Sequence, residues 1–377
     1  MNECRGTTPT PPSAGSGDPA PDLSRWMANE PAPGGGDMDR PNAAAMYDYY
    51  LGSCYNFAVD RDAATAAIAA APRIVATAQA NRDFVRRAVR YALDDGVDQF
   101  LDLGAGVPVR GGTHQVVRAT LAGAPVVCID NDPVIVAIAY EIVAADPACA
   151  VIHADIRDMA AILDAPYTRG RIDFARPVCV LLTAVLHYLP GDLTDIMAAL
   201  RAHLCAGSLL VISHGAEPEP EYATQADAVR EIYAHTTTPL TLRRPEQIAA
   251  LFTGFDLIAA GHRGRSARPA ALVAVNQWRP HDDVPADGNA VPEAPLGGLL
   301  VAVGRKPPHR TSTSRSPKPT NRMPTDVTTP TRTRPSRVRM LASPQQLIGP
   351  ATYLAVPAGL VTYSTLFVDH GHRPDLA

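Results

Sequence analysis

Two glycines, Gly104 and Gly106, stand directly after an apolar run at residues 100–103, and the next two apolar runs each end in an acid, Asp130 and then Asp155. That spacing predicts a crevice for a nucleoside-bearing ligand. Glycine has no Cβ, so a bulky ligand approaches the main chain closely at such a turn. In a parallel sheet the carboxyl ends of neighbouring strands lie side by side, which brings Asp130 to the same crevice. An ionised carboxylate only accepts hydrogen bonds and suits the paired donor hydroxyls of a ribose, with Asp155 expected near the base edge. Asp130 is free for this because Asp132, immediately before Pro133, is the better N-cap for the following helix.

A dinucleotide fits the turn less well. Its fingerprint calls for a third glycine where this chain has Val109, and Pro108 removes a backbone donor from the turn. Asp102, just before the turn, would repel a pyrophosphate but could hold a cationic amino group. An adenosine ligand without phosphates is the preferred reading, and a nicotinamide-dependent oxidoreductase is the distant alternative.

These residues need strands to carry them and helices between. Continuous apolar runs at residues 100–103, 126–130, 151–153, 178–183 and 209–213 read as strands, and residues 133–145 and 193–204 as intervening helices. Strands apolar on both faces and separated by helices indicate an α/β doubly wound, mostly parallel sheet with right-handed crossovers. Ala-rich stretches at residues 63–71 and 74–93 predict helices ahead of the first strand. Late strands at 255–259 and 299–303, with a short one within 271–275, predict an antiparallel edge at the C-terminal end.

The chain has 377 residues, 46% of them hydrophobic, ample for a substantial core, and a net charge of -4 that gives no reason to invoke nucleic acid or a membrane surface. Six cysteines include no Cys-x-x-Cys pair; Cys128 and Cys179 fall in apolar runs and read as buried thiols, so no metal site is expected. Residues 1–39 are rich in Pro, Gly, Ser and Thr and are expected to be disordered, with no signal-peptide core, which gives a cytoplasmic location by default. Residues 307–377 are expected to be a disordered, basic Pro/Thr-rich tail with an uncharged stretch at 347–368. That stretch is long enough to span a bilayer, but two internal prolines argue against an anchor.

FLDLGAG, VVCIDND, HADIRD and LLTAVLHYL resemble the successive motifs of class I S-adenosylmethionine-dependent methyltransferases, whose fold is Rossmann-like. More narrowly, residues 40–64, ANRDFVRRAVRYAL at 80–93 and the GxPxxxxTHQV run from Gly106 resemble an actinobacterial family of these enzymes. The likeness covers Arg40 to Lys306, divided into a helical lid at 40–95 and a Rossmann-like core at 96–306. It implies S-adenosyl-L-methionine as cofactor, with Gly104 and Gly106 at its methionine part, Asp130 at the ribose, and Asp155 and Ile156 framing the adenine. Asp102, Ala105, Asn131, Tyr47 and Asn56 complete the expected cofactor contacts. Family members tend to have Gly-Gly-Lys-Asp-Asn where this chain has Gly52-Ser53-Cys54-Tyr55-Asn56, so a Lys and an Asp are missing from a lid expected over the cofactor.

A sulfonium makes its methyl group electrophilic, so such a protein mainly aligns an acceptor and excludes water. Where the acceptor is a hydroxyl, His187 at the end of the fourth strand, or His214 at the end of the fifth, is the candidate base. A histidine that only packs or hydrogen-bonds there is the equal alternative for His187. Tyr47, Tyr49 and Tyr50 could wall an acceptor or face the sulfonium. The function expected is methyl transfer to a small-molecule acceptor, without nucleic acid; a cofactor-binding protein lacking catalysis is the second reading, motivated by the altered lid. The oligomeric state is not legible in these residues.

Overall fold

A computed structural model describes residues 39–109, 111–261, 270–279 and 296–308. All lie within the unit Met1–Ser312; the second unit, Thr313–Ala377, falls outside the described residues, as do the expectations for residues 1–38 and the tail from 309.

β1 (Phe100–Leu103), β2 (Val126–Asp130), β3 (Cys149–His153), β4 (Cys179–Thr183) and β5 (Leu209–Gly215) run parallel in the order β3-β2-β1-β4-β5. β8 (Leu299–Arg305) then pairs antiparallel with β5, and both β6 (Asp256–Leu257) and β7 (Val273–Ala274) pair with its other side. The sheet is thus the doubly wound, mostly parallel one the apolar runs predict, with its antiparallel edge at the C-terminal side. β5 extends two residues past the expected Ser213 because its antiparallel partner continues the ladder through His214 and Gly215, opposite Leu300 and Leu299. β6 is shorter than its apolar run: Asp256 and Leu257 pair with Arg305 and Gly304, and beyond them the Ile258 N–H still reaches the Val303 carbonyl at 2.8 Å.

Alternation along β1 sends Phe100 to one face and Leu101 and Leu103 to the other, and both faces are covered. α3 (Ile74–Asp94) and α4 (Thr113–Thr120) cover the first, through Phe84, Ala88, Val116 and Val117. α6 (Met159–Asp164) and α8 (Thr194–His203) cover the second, through Met159, Leu163, Met197 and Leu200. α5 (Pro133–Val143) crosses from β2 to β3, while the short α7 (Pro166–Arg169) and α10 (Pro245–Ala250) sit in connections before β4 and β6.

A separate cluster joins α1 (Ala43–Tyr50), α2 (Ala58–Ala70), the start of α3 and α9 (Ala223–Ala234), through Met46, Ala64, Ala67, Ala78 and Tyr233. Asn42 caps α1, its Oδ1 accepting from the N–H groups of Ala44 (2.7 Å) and Ala45 (3.3 Å). The same side chain donates to Asp132 Oδ2 at 2.6 Å, while Asp132 Oδ1 caps α5. One carboxylate therefore ties the N-terminal helices to the end of β2.

Candidate functional site

The turn after β1 needs glycine for two reasons. Gly104 has φ +71°, and a Cβ there would lie 2.2 Å from Val185 Cγ2. Its N–H and that of Ala105 donate to the Ile129 carbonyl, at 2.8 and 3.0 Å, so the turn is latched to the end of β2. Gly106, at φ +60°, sits against α1: its Cβ would touch that of Ala44 at 3.6 Å. A cavity of about 310 Å³ opens here, within the usual size of small-ligand sites.

Asp130 lies at its wall. Oδ2 accepts from the Gly106 N–H at 2.9 Å and Oδ1 from the Asp132 N–H at 3.1 Å. A carboxylate offers about four acceptor sites, so each oxygen keeps capacity for a ligand hydroxyl. Burial pushes this carboxyl up to about 6, against the pull of the Asp132 and Gly106 hydrogen bonds. Asp102 is also raised by burial, and its Oδ2 accepts the Thr113 hydroxyl at 2.5 Å. Burial would raise Asp155 too, but the bonds from the Arg157 guanidinium and backbone overcome it and hold that carboxyl below its usual range.

The structure brings most of the expected cofactor residues to this one wall: Asp102, Gly104, Ala105, Gly106 and Asp130 with Asn131, then Asp155, Ile156 and Tyr47. Asn56 is not on it. Its amide donates to Asp48 Oδ2 (2.8 Å) and to the Ser53 carbonyl (3.0 Å), which folds the chain after α1. Ser53, Cys54 and Tyr55 do not line the cavity either; Tyr55 is exposed, and only its N–H reaches Asp48 Oδ2.

His187 and His214 are buried behind the wall. Gly215 donates its N–H to His187 Nδ1 at 3.0 Å, which leaves the ring proton on Nε2. His214 donates from Nδ1 to the Gly215 carbonyl at 2.8 Å and accepts on Nε2 from Arg243 Nη1 at 2.9 Å. Burial drives both imidazoles down, His187 well below its ordinary value and His214 to about 4, so both are neutral near pH 7. Tyr188 lines the cavity in front of them.

Beside it, Ala184 follows β4 at φ +53°, a strained conformation for alanine. Its N–H donates to both the carbonyl (3.1 Å) and the hydroxyl (2.8 Å) of Ser213, and it lines the cavity.

Among the lining residues that sequence reasoning missed are two pairs of polar side chains, Asn81 with Arg82 and Thr237 with Thr238. Asn81 and Arg82 lie on α3, where the apolar spacing signals packing and the polar positions read as solvated. Thr237 and Thr238 follow α9, their segment held by the bond from Thr237 N–H to the Pro41 carbonyl at 3.0 Å. All four carry buried polar atoms without a hydrogen-bond partner: Asn81 Oδ1, Arg82 Nε, Thr237 Oγ1 and Thr238 Oγ1. Among the described residues no cluster of His, Cys, Asp and Glu could hold a metal ion, and no helix is long and apolar enough to cross a membrane.

Comparisons with known proteins show the family and the fold. Residues 31–307 match the family model described as S-adenosyl methyltransferase. A candidate methyltransferase from Thermobifida fusca is 33% identical with a TM-score of 0.62, over 72% of this chain and 97% of its own. A DUF574 family protein from Streptomyces avermitilis is 30% identical with the same TM-score of 0.62, over 72% of this chain and 99% of its own. A comparison with curated proteins finds no match. The chain belongs to the S-adenosyl methyltransferase family and is an S-adenosylmethionine-dependent methyltransferase.

Proposed function

We propose that this methyltransferase acts on a small-molecule acceptor held between the glycine turn and the segment after α9. The observation that carries this reading is the pair of unpartnered hydroxyls, Thr237 and Thr238 Oγ1, on the wall of a cavity that α1 also lines. Buried hydroxyls without partners are costly unless a ligand pairs with them. A wall of helix and loop around a space this size favours an acceptor that enters whole over a flat macromolecular surface.

S-adenosylmethionine supplies the electrophilic methyl group. Gly104 and Gly106 give its methionine part room against the main chain, Asp130 accepts from the ribose hydroxyls, and Asp155 and Ile156 border the adenine. Tyr47 and Tyr188 supply ring surface on the same wall. The hydrogen bonds at His187 and His214 favour positioning over proton transfer, because an imidazole whose acceptor nitrogen is occupied takes a proton only by giving up that bond.

The test incubates the protein with methyl-labelled cofactor and an extract of the producing cell, then divides the label by size. Label is expected among small molecules, and Thr237→Val with Thr238→Val is expected to lower it about tenfold, with S-adenosylhomocysteine affinity kept. Label in protein or nucleic acid alone would overturn the reading.

A further inference from the structure

Three unpartnered polar atoms of the same cavity surround one tyrosine. Tyr47 Oη donates to the Ala78 carbonyl at 2.9 Å, so it must accept from Asn81 Nδ2 at 3.0 Å. That bond sets the amide and leaves Asn81 Oδ1 as a bare acceptor. The adjacent Asp48 spends Oδ2 on the Tyr55 N–H and the Asn56 amide, both at 2.8 Å, and keeps Oδ1 unpartnered. Asp48 is 1% exposed and Asn81 2%. The Arg82 guanidinium lies over the Tyr47 ring, 5.6 Å from its centre, with a buried Nε that has no acceptor. Its helix neighbours differ: Arg87 donates from Nε to the Trp278 carbonyl at 2.8 Å, and Arg86 pairs with Asp83 at 2.9 Å.

The set is two acceptor oxygens, one of them a carboxylate's, beside one cationic donor. We propose that Asp48, Asn81 and Arg82 form a subsite for an α-amino carboxylate group. The ammonium donates to Asp48 Oδ1 and Asn81 Oδ1, and the carboxylate accepts from Arg82. Asp102, on the same wall, already accepts from Thr113. Charge-assisted bonds of this kind are stronger than neutral ones and answer each of the three orphaned atoms. The group has two sources, the methionine end of the cofactor or an amino-acid acceptor, and the inference rests on this cavity being where both bind.

Titration of the full chain with S-adenosylhomocysteine and with methylthioadenosine separates them, since the second ligand keeps the nucleoside and thioether but lacks the α-amino carboxylate. Methylthioadenosine binding by wild type checks the cavity itself, and binding by the variant shows that it has folded. If the cofactor is the source, Arg82→Met weakens S-adenosylhomocysteine about 10- to 100-fold and methylthioadenosine less than about twofold. If an acceptor is the source, both ligands bind the variant as they bind wild type. One of the twenty standard amino acids then binds the S-adenosylhomocysteine-loaded wild type and not the loaded variant. Equal weakening of both nucleosides, or no change in either nucleoside or any amino acid, would overturn the proposal. Asn81→Leu provides the second variant, with the same discrimination expected. Failure of wild type to bind either nucleoside would instead count against the cavity as the cofactor site.

Discussion

The ends of β1 and β2 differ from the ends of β4 and β5 in how fully their polar groups are spent. At the first pair, Asp130 holds two backbone N–H groups and keeps acceptor capacity on both oxygens. At the second, Arg243 donates to the carbonyls of Leu186 (2.9 Å), Leu189 (2.8 Å) and Gly191 (2.9 Å) and to His214, whose other nitrogen goes to Gly215. Both pairs sit at the carboxyl edge of one sheet, where ligands bind in such folds. Position alone therefore does not mark a binding group; unspent hydrogen-bonding capacity at a cavity does. The same contrast separates the two arginines, Arg82 with an orphaned Nε on the cavity wall and Arg243 with its fork committed to main chain.

Breaking the spent side should cost the most stability. Arg243→Ala strips donors from three carbonyls and from His214, and a loss of about 3 kcal/mol or more is expected in chemical denaturation, with S-adenosylhomocysteine affinity of the folded protein little changed. Next comes Gly104→Ala, expected to cost about 2 kcal/mol from its left-handed backbone and the clash with Val185, and to abolish detectable cofactor binding in calorimetry. That pairing sharpens the comparison: one change hits the fold and spares the ligand, the other hits both. The smallest effect belongs to His187→Gln, whose amide oxygen can still accept the Gly215 N–H. Thermal denaturation should show a loss of about 1 kcal/mol or less, with cofactor affinity within about twofold. A large loss of affinity there would place the histidine in contact with ligand and undo the contrast.

The ends of β1 and β2 are the legible part of the open side, because their signals are local. Phe100 to Leu103 followed by Gly104 and Gly106 places strand and turn within seven residues, and Asp132 before Pro133 marks the N-cap that leaves Asp130 available. Arg243 and its partners come together from three separate segments, so no spacing in the chain announces that His214 is already bonded on both nitrogens. Asn56 shows the same limit: its match to the family pattern is explained by a bond to Asp48 that shapes the chain after α1. Asn81 and Arg82 escaped notice because Ala80, Phe84, Val85 and Ala88 around them give α3 the spacing of an ordinary packing helix. The insertion of β8 between β5 and β6 was likewise hidden, since strand order is set by pairings far apart in the chain.

The central claim, that Asp130 is the ribose acceptor of an open cofactor crevice, is tested by titrating S-adenosylhomocysteine across pH 5 to 8 into wild type and Asp130→Asn. Hydrogen bonds from ribose hydroxyls favour the ionised carboxylate, which burial holds back to about 6. Wild-type affinity is therefore expected to be full at pH 8 and to fall as pH drops below about 6, by up to about tenfold per pH unit. Asp130→Asn should bind about tenfold or more weakly at pH 8 and show no such fall. Equal wild-type affinity at pH 5 and pH 8, or a variant that binds like wild type at pH 8, would contradict the account.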